Sequence, residues 1–417
     1  MTPTLQHEWG RTAPTRTLSA MPRRSIPKLA LLLALAAATL HAQAPALDQA
    51  DILGQELFTA SSSTGMILVV VRNNEVFVRG YGETAPGNGI RPAPTSVIRL
   101  CSLTKIFATD LLTKLVADNT VHLDDPLQLY APAHITIPSR ATHPITLEDL
   151  ATHTSGLPRE VGNAPHGTAH FTFPDYKFRW RWLPAQHLKT TPGTAALYSN
   201  VGFDLLGDAL QQAAHKPYAQ LLSERTTGPL GMRETGFTPT ASQCSRLLQG
   251  AHDEGQCTDT QASAGSSGLY STAVDMTTWL KYLLGTGAPT LPAQSPAAEA
   301  VYIAPSTLTS EQGLEHAGTP AGIGLGWMHL LADTDPSSII EKTGGGAGFT
   351  TYIALNQPTH TGIFVAFTEG STENHVNVFK AANNLLTTIA GVPPLPPEPI
   401  KLTPKPTAAK SRKRRHN

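Results

Sequence analysis

The sequence predicts an α/β fold of the α+β kind: a mostly antiparallel sheet built from both chain ends, flanked by helices, with a mainly helical region inserted between them. Three observations lead there. Two strand-like runs stand near the amino end, at 66–71 (MILVVV) and 75–81 (EVFVRGY). Three apolar segments around 338–343, 349–356 and 362–368 precede a helical stretch over about 373–390. Between the two groups, from about 103 to 330, helical patterns alternate with Pro/Gly loops. The chain has 417 residues, 40% of them hydrophobic and 15% charged, with neither heptads nor repeats, so it suits a globular enzyme better than a coiled coil or a solenoid.

At the amino end, Arg23, Arg24 and Lys28 precede the apolar run Leu29 to Leu40 and the small-residue pattern Ala42-Gln43-Ala44. That order reads as a cleavable signal peptide, with cleavage after Ala44 and Met21 better placed than Met1 to start it. The run is too short to cross a bilayer as a helix, which takes about 20 residues. The mature chain is therefore expected to be exported and periplasmic, with no transmembrane anchor. The expected division is an extension and leader over 1–44, a catalytic domain over 45–392 and a Pro-rich basic tail over 393–417. Within the catalytic domain the sheet is expected from about 45–100 and 330–392, and the helical region from about 103–330.

The formal net charge of zero conceals an uneven distribution. Residues 401–417 hold seven Lys or Arg and no acid, and residues 1–44 hold five basic residues against Glu8. The remainder carries nineteen basic and thirty acidic residues, a poor surface for nucleic-acid phosphates. No nucleic-acid partner is expected. The tail has too little apolar surface to offset the entropy of folding and reads as a solvated charged end.

The mature domain opens with Leu47, Ile52, Leu53, Leu57 and Phe58 at roughly helical spacing, predicting a helix with one buried face. Arg72-Asn73-Asn74 then joins the first two strands, and Asn tolerates the positive φ of a hairpin turn. Next comes Ser102-Leu103-Thr104-Lys105, followed by Ile106, Phe107, Leu111, Leu112, Leu115 and Val116, the pattern of a buried helix. Residues three apart on a helix share a face, separated by about 4.5 Å along the axis, so the lysine amine reaches the serine hydroxyl. A serine so placed is a candidate nucleophile with Lys105 as its base. Alone, the pattern equally describes a capped helix with an exposed lysine.

Tyr198-Ser199-Asn200 stands directly before a second apolar helix pattern, Phe203, Leu205, Leu206 and Leu210. In extended backbone, residues i and i+2 point the same way. Tyr198 and Asn200 can then face one cleft, the phenol moving a proton beside the cations Lys105 and Lys342, the amide clamping substrate. Lys342-Thr343-Gly344-Gly345-Gly346 lies in a strand context. Gly344 leaves the backbone accessible to a substrate added as an extra strand, and a main-chain N–H near Gly345, with that of Ser102, suits an oxyanion hole. Lys342 and Thr343 suit a substrate carboxylate.

Two further types of residue bear on the site. His153, in ATHTSGLP, reads as the organiser of a turn. Export permits disulfides, and Cys244 and Cys257, thirteen apart, are expected to be bridged, leaving Cys101 as a small buried residue beside the serine. No cluster at zinc-ligand spacing and no phosphate loop occurs, so neither metal nor cofactor is expected.

The ordered triple of S-x-x-K, Y-S-N and K-T-G resembles the serine β-lactamases and penicillin-binding proteins, and Tyr-Ser-Asn resembles in particular class C enzymes and their carboxypeptidase and esterase relatives. The stretches 100–105, 145–160, 198–210 and 342–355, with the Cys244–Cys257 pair, are similar to the AmpH-type D-alanyl-D-alanine carboxypeptidase/endopeptidases. The resemblance covers about 50–390 and implies a serine β-lactamase / DD-peptidase-like fold. It implies Ser102 as nucleophile, Lys105 and Tyr198 as proton carriers, Asn200 as substrate orienter, and Lys342 with Thr343 as carboxylate binders. The partners it implies are peptidoglycan stem peptides and β-lactam antibiotics. A class C-like β-lactamase, an esterase on the same scaffold and a penicillin-binding sensor that does not turn over share these residues and stay open as alternatives.

Overall fold

The computed structural model describes residues 45–252, 255–288, 293–314, 316–370 and 377–397; the expected leader and the tail beyond 397 lie outside them. The elements that position the site are, in chain order, α1 (Pro45–Ser61), β1 (Gly65–Arg72), β2 (Glu75–Gly82), β3 (Val97–Arg99), α2 (Thr104–Ala117) and α3 (Asn200–Ala213). They continue with β4 (Tyr270–Thr272), α4 (Ala273–Leu283), β5 (Gly322–Ile323), β6 (Met328–Leu330), β7 (Ile339–Gly346), β8 (Phe349–Asn356), β9 (Thr361–Thr368) and α5 (Val378–Ala390).

Alternation along the strands buries residues on both faces of a seven-stranded antiparallel sheet, ordered β2-β1-β9-β8-β7-β6-β5. Met66, Leu68 and Val70 of β1 face one way, onto Leu385, Leu386 and Ile389 of α5 and Leu57 of α1. Ile67, Val69 and Val71 face the other way, into the larger cluster that holds Phe107 of α2 and Trp279 of α4. The uninterrupted apolar run of β1 follows from this burial on both faces. Asn73 closes the β1–β2 hairpin at φ +54°.

The antiparallel sheet from both chain ends and the inserted helices match the expectation, with two differences. Ile52 is 63% exposed, so α1 turns Ala50, Leu57 and its neighbours inward and leaves this apolar residue in solvent. Strands β5 and β6 lie inside the stretch read as helical and extend the sheet past β7. At two and three residues they are too short to show a period-two pattern. The final helix is described from Val378; residues 371–376 of the expected helical stretch lie outside the described set.

The Cys244–Cys257 disulfide is formed, and Cys101 is a buried free thiol. Among the described residues no helix is long and apolar enough to cross a membrane.

Candidate active site

Strand β3 delivers the chain to a single 3-10 turn, Cys101–Leu103, which runs into α2. Cys101 holds φ +51°, a conformation that costs free energy outside glycine and that presents the next residue, Ser102, to the cleft. The first ten residues of α2, from Thr104 to Thr113, are buried, so Lys105 cannot run out to solvent and its amine turns back on its own helix. Its Nζ lies 3.3 Å from Ser102 Oγ and donates to Asn200 Oδ1 at 2.7 Å and to the Ser266 carbonyl at 2.9 Å.

Tyr198 arrives from a short strand, Ala196–Leu197, and donates its phenol to Ser102 Oγ at 2.7 Å. Ser199 is extended (φ −136°, ψ 114°) and caps α3 by accepting from the Gly202 N–H. Asn200, the first helical residue, is thus free of the capping duty, and its Oδ1 meets the Lys105 amine beside Ser102. Its Nδ2 donates to Glu160 Oε1 at 2.5 Å.

His153 holds this segment from behind. Its ring stacks on Tyr198 at 4.5 Å between centroids, and its Nδ1 accepts from the Ser199 N–H at 3.1 Å. Burial, then the flanking cations Lys105, Lys342 and Arg159, push the imidazole well below its usual range, so it stays neutral and able to accept. The turn-organising reading of His153 agrees with this position: φ is +63° there, and the side chain fixes the backbone between Tyr198 and Asn200.

On the other side of the serine, β7 passes against the 3-10 turn. A Cβ on Gly344 would stand 2.3 Å from Thr351 Oγ1 and 2.9 Å from the Leu100 carbonyl, so only glycine permits the approach. Gly346 and Gly348 serve a separate purpose, at φ +142° and +74° in the β7–β8 hairpin bend. Strand β6 pairs with β7 only over residues 339–341, so among the described residues the 342–346 segment has no strand partner on that side. Lys342 is buried and donates to the Thr343 carbonyl at 2.8 Å, its Nζ 5.5 Å from the Tyr198 ring centroid. Ser102, Tyr198, Thr343, Gly344 and Gly345 line one cleft of about 250 Å³.

The structure therefore brings Ser102, Lys105, Tyr198, Asn200, Lys342, Thr343, Gly344 and Gly345 to one place. Several residues of the site were not anticipated. Asp204 sits one turn along α3, its Oδ1 accepting from the Ser266 N–H at 3.0 Å while the Ser266 carbonyl receives Lys105. Burial pushes the Lys105 amine down and the Asp204 carboxyl up. An acidic residue four after Asn200, within the apolar stripe of a helix, is a visible irregularity; Ser266 acts through its backbone and leaves no trace in residue type. Arg159 and Glu160 fall in the 145–160 stretch but carry no chemistry readable from spacing alone.

A hydroxyl held between an amine and a phenol, beside a strand edge unpaired among the described residues, is equipped for acyl transfer: proton removal, covalent attachment and strand-wise substrate docking. Cys101 is not a rival nucleophile. Its Sγ lies 3.3 Å from the Gly346 carbonyl, and burial pushes the thiol up to about 12. Among the described residues no group of three or more His, Cys, Asp or Glu could hold a metal ion.

Residues 54–388 match the family described as Beta-lactamase. The chain is 40% identical over 382 residues to the D-alanyl-D-alanine-carboxypeptidase/endopeptidase AmpH of Escherichia coli strain K12, across 89% of this chain and 98% of that one. A crystal structure of a beta-lactamase/D-alanine carboxypeptidase from Yersinia pestis complexed with citrate superposes with a TM-score of 0.76 at 41% identity, covering 82% of this chain and 98% of that one. A class C beta-lactamase from Rhodobacter sphaeroides shares the fold at 21% identity, with a TM-score of 0.62 over 82% of this chain and 99% of that one.

Proposed function

The chain belongs to the beta-lactamase family, and from that premise we propose that it is an exported serine hydrolase that cleaves D-alanyl peptides of the bacterial cell wall, as a carboxypeptidase, an endopeptidase or both. The observation that carries the chemistry is the Ser102 hydroxyl between Tyr198 OH at 2.7 Å and Lys105 Nζ at 3.3 Å. The substrate class follows from the 40% identity to AmpH over 98% of that protein.

In the proposed reaction Ser102 Oγ attacks the carbonyl carbon of the D-alanyl peptide bond while its proton passes to the Lys105–Tyr198 pair. The carbonyl oxygen, now negative, is received by the backbone N–H groups of Ser102 and Gly345, each such donor contributing about 3 to 4 kcal/mol. Collapse expels the leaving amine, which takes the proton from the same pair, and leaves an ester on Ser102. Water then adds to the ester carbonyl, Ser102 Oγ departs with a proton, and the shortened peptide is released. Asn200 orients the donor amide, and the Thr343 hydroxyl, in the field of Lys342, meets the carboxylate of the leaving residue. A β-lactam enters the same first step, but its leaving nitrogen stays tethered.

The disulfide Cys244–Cys257 agrees with an oxidising compartment such as the periplasm. The Ala44 cleavage site lies outside the described residues.

Intact mass of the mature protein with benzylpenicillin, and D-alanine release from wall peptides, test this reading. Wild type is expected to gain one drug mass and to release D-alanine, and S102A to do neither. Full D-alanine release by S102A would end the assignment; fast loss of the adduct with no peptide cleavage would make the protein a β-lactamase.

A further inference from the structure

Three cationic side chains surround the Tyr198 ring, and two of them are already engaged. Lys105 Nζ is shared among Ser102, Asn200 and Ser266, and Lys342 is buried and turned onto the Thr343 carbonyl. The third, Arg159, differs. Its side chain is 58% exposed and lines the same cleft as Ser102 and Thr343. The guanidinium lies 4.6 Å from the Tyr198 ring centroid, and its Nε forms an ion pair with Glu160 Oε1 at 3.8 Å, half-exposed and longer than a hydrogen bond. That same Glu160 oxygen already accepts from Asn200.

The residue is also well anchored. The Arg159 carbonyl accepts the Asn200 N–H at 2.9 Å and the Val201 N–H at 3.4 Å, so its backbone is tied to the start of the helix that carries Asn200. The cation–π contact with the phenol ring helps to place the guanidinium. A planar fork of donors held on a fixed backbone, open to a cleft, suits a carboxylate better than a flexible ammonium does.

We propose that Arg159 binds a carboxylate of the substrate peptide and is a specificity-determining residue that selects anionic peptides. This rests on the D-alanyl peptide reading above. The carboxylate belongs either to the leaving residue or to an acidic residue of the acyl-donor chain; the recognition chemistry is the same.

The test uses the full mature protein as wild type, R159A, R159Q and R159K, with active sites counted by benzylpenicillin labelling. Three synthetic D-alanyl-D-alanine peptides are compared: one with all carboxylates free, one amidated at its terminal residue, one amidated along the donor chain. Wild type is expected to prefer the free acid over one of the two amides by on the order of 10- to 100-fold in kcat/KM. The amide that suffers identifies which carboxylate is read. R159A and R159Q are expected to lose that preference, through KM rather than kcat, and R159K to recover part of it. Variants that keep the wild-type ratio, or that lose equally on all three peptides with a shifted pH profile, would overturn the inference and leave Arg159 a positioning residue for Tyr198. Failure of wild type to release D-alanine from any peptide would overturn the proposed function and this inference together.

Discussion

Both faces of the central strands β1, β8 and β9 are buried, but they are held by different chemistry. On the back face, α1 and α5 cover β1, β8 and β9 with Leu57, Leu385, Leu386 and Ile389, and the contacts are almost wholly apolar. On the front face, beside an equally apolar cluster, α2 and α3 bring Lys105 and Asp204 into the interior. Strand β7 sends one titratable side chain each way. Lys342 goes forward, to the Thr343 carbonyl and the Tyr198 ring; Glu341 goes back, where its Oε2 has no hydrogen-bond partner among the described residues. Burial, weakly opposed by Lys342, pushes the Glu341 carboxyl up to about 7. A buried charge is tolerated where hydrogen bonds receive it, and a buried acid without them is tolerated by staying protonated.

That contrast can be broken in order of effect. The largest expected change is on the front: K105M should lower the rate of acylation by benzylpenicillin about 10²- to 10⁴-fold, the usual share of general base catalysis. Its stability should fall by about 1 to 3 kcal/mol, since Asn200 Oδ1 and the Ser266 carbonyl lose the donor they share. In wild type, burial pushes the lysine down, so acylation should rise with pH and level off below the ordinary lysine range. Stopped-flow acylation across pH and a denaturant titration measure both.

On the back face the ranking reverses. L386A should cost about 2 to 5 kcal/mol of stability, because Leu386 is fully buried, while folded molecules acylate at the wild-type rate. E341Q sharpens the comparison through pH. A carboxyl whose folded value is raised stabilises below its unfolded value of about 4.5 and loses that contribution as pH rises through about 7. Wild type should therefore lose on the order of 3 kcal/mol relative to E341Q between those limits, read from denaturation midpoints at several pH values. The smallest effect is at Cys101. With its thiol buried and pushed up to about 12, it should resist iodoacetamide in the native protein at pH 8 and react only on unfolding, despite standing next to Ser102.

The proximity of the candidate site residues was legible because their spacing is fixed by local geometry. Three residues of helix suffice to bring Lys105 under Ser102, one extended residue suffices to align Tyr198 with Asn200, and the strand context of Lys342 to Gly344 followed from apolar neighbours. Arg159 and Glu160 are ordinary residue types in ordinary positions, Asp204 is an irregularity in an apolar stripe with no partner readable from spacing, and only packing gives all three their neighbours. Gly344 was read as leaving the backbone accessible to substrate; the structure gives the missing Cβ another role, clearing Thr351 Oγ1 and the Leu100 carbonyl, which no local pattern foretells. Strands β5 and β6 were missed because a period needs more residues than they have.

By itself, then, the sequence determined the chain-end sheet, the inserted helices and which serine has a lysine within reach, since periods of two and 3.6 and spacings of two to four residues are written along the chain. Tertiary structure alone decided that the amine of Lys105 meets Asn200 and Ser266, that His153 backs Tyr198, and that Arg159 opens onto the cleft. Those contacts join residues far apart in sequence, and their energies depend on burial, which no local pattern sets.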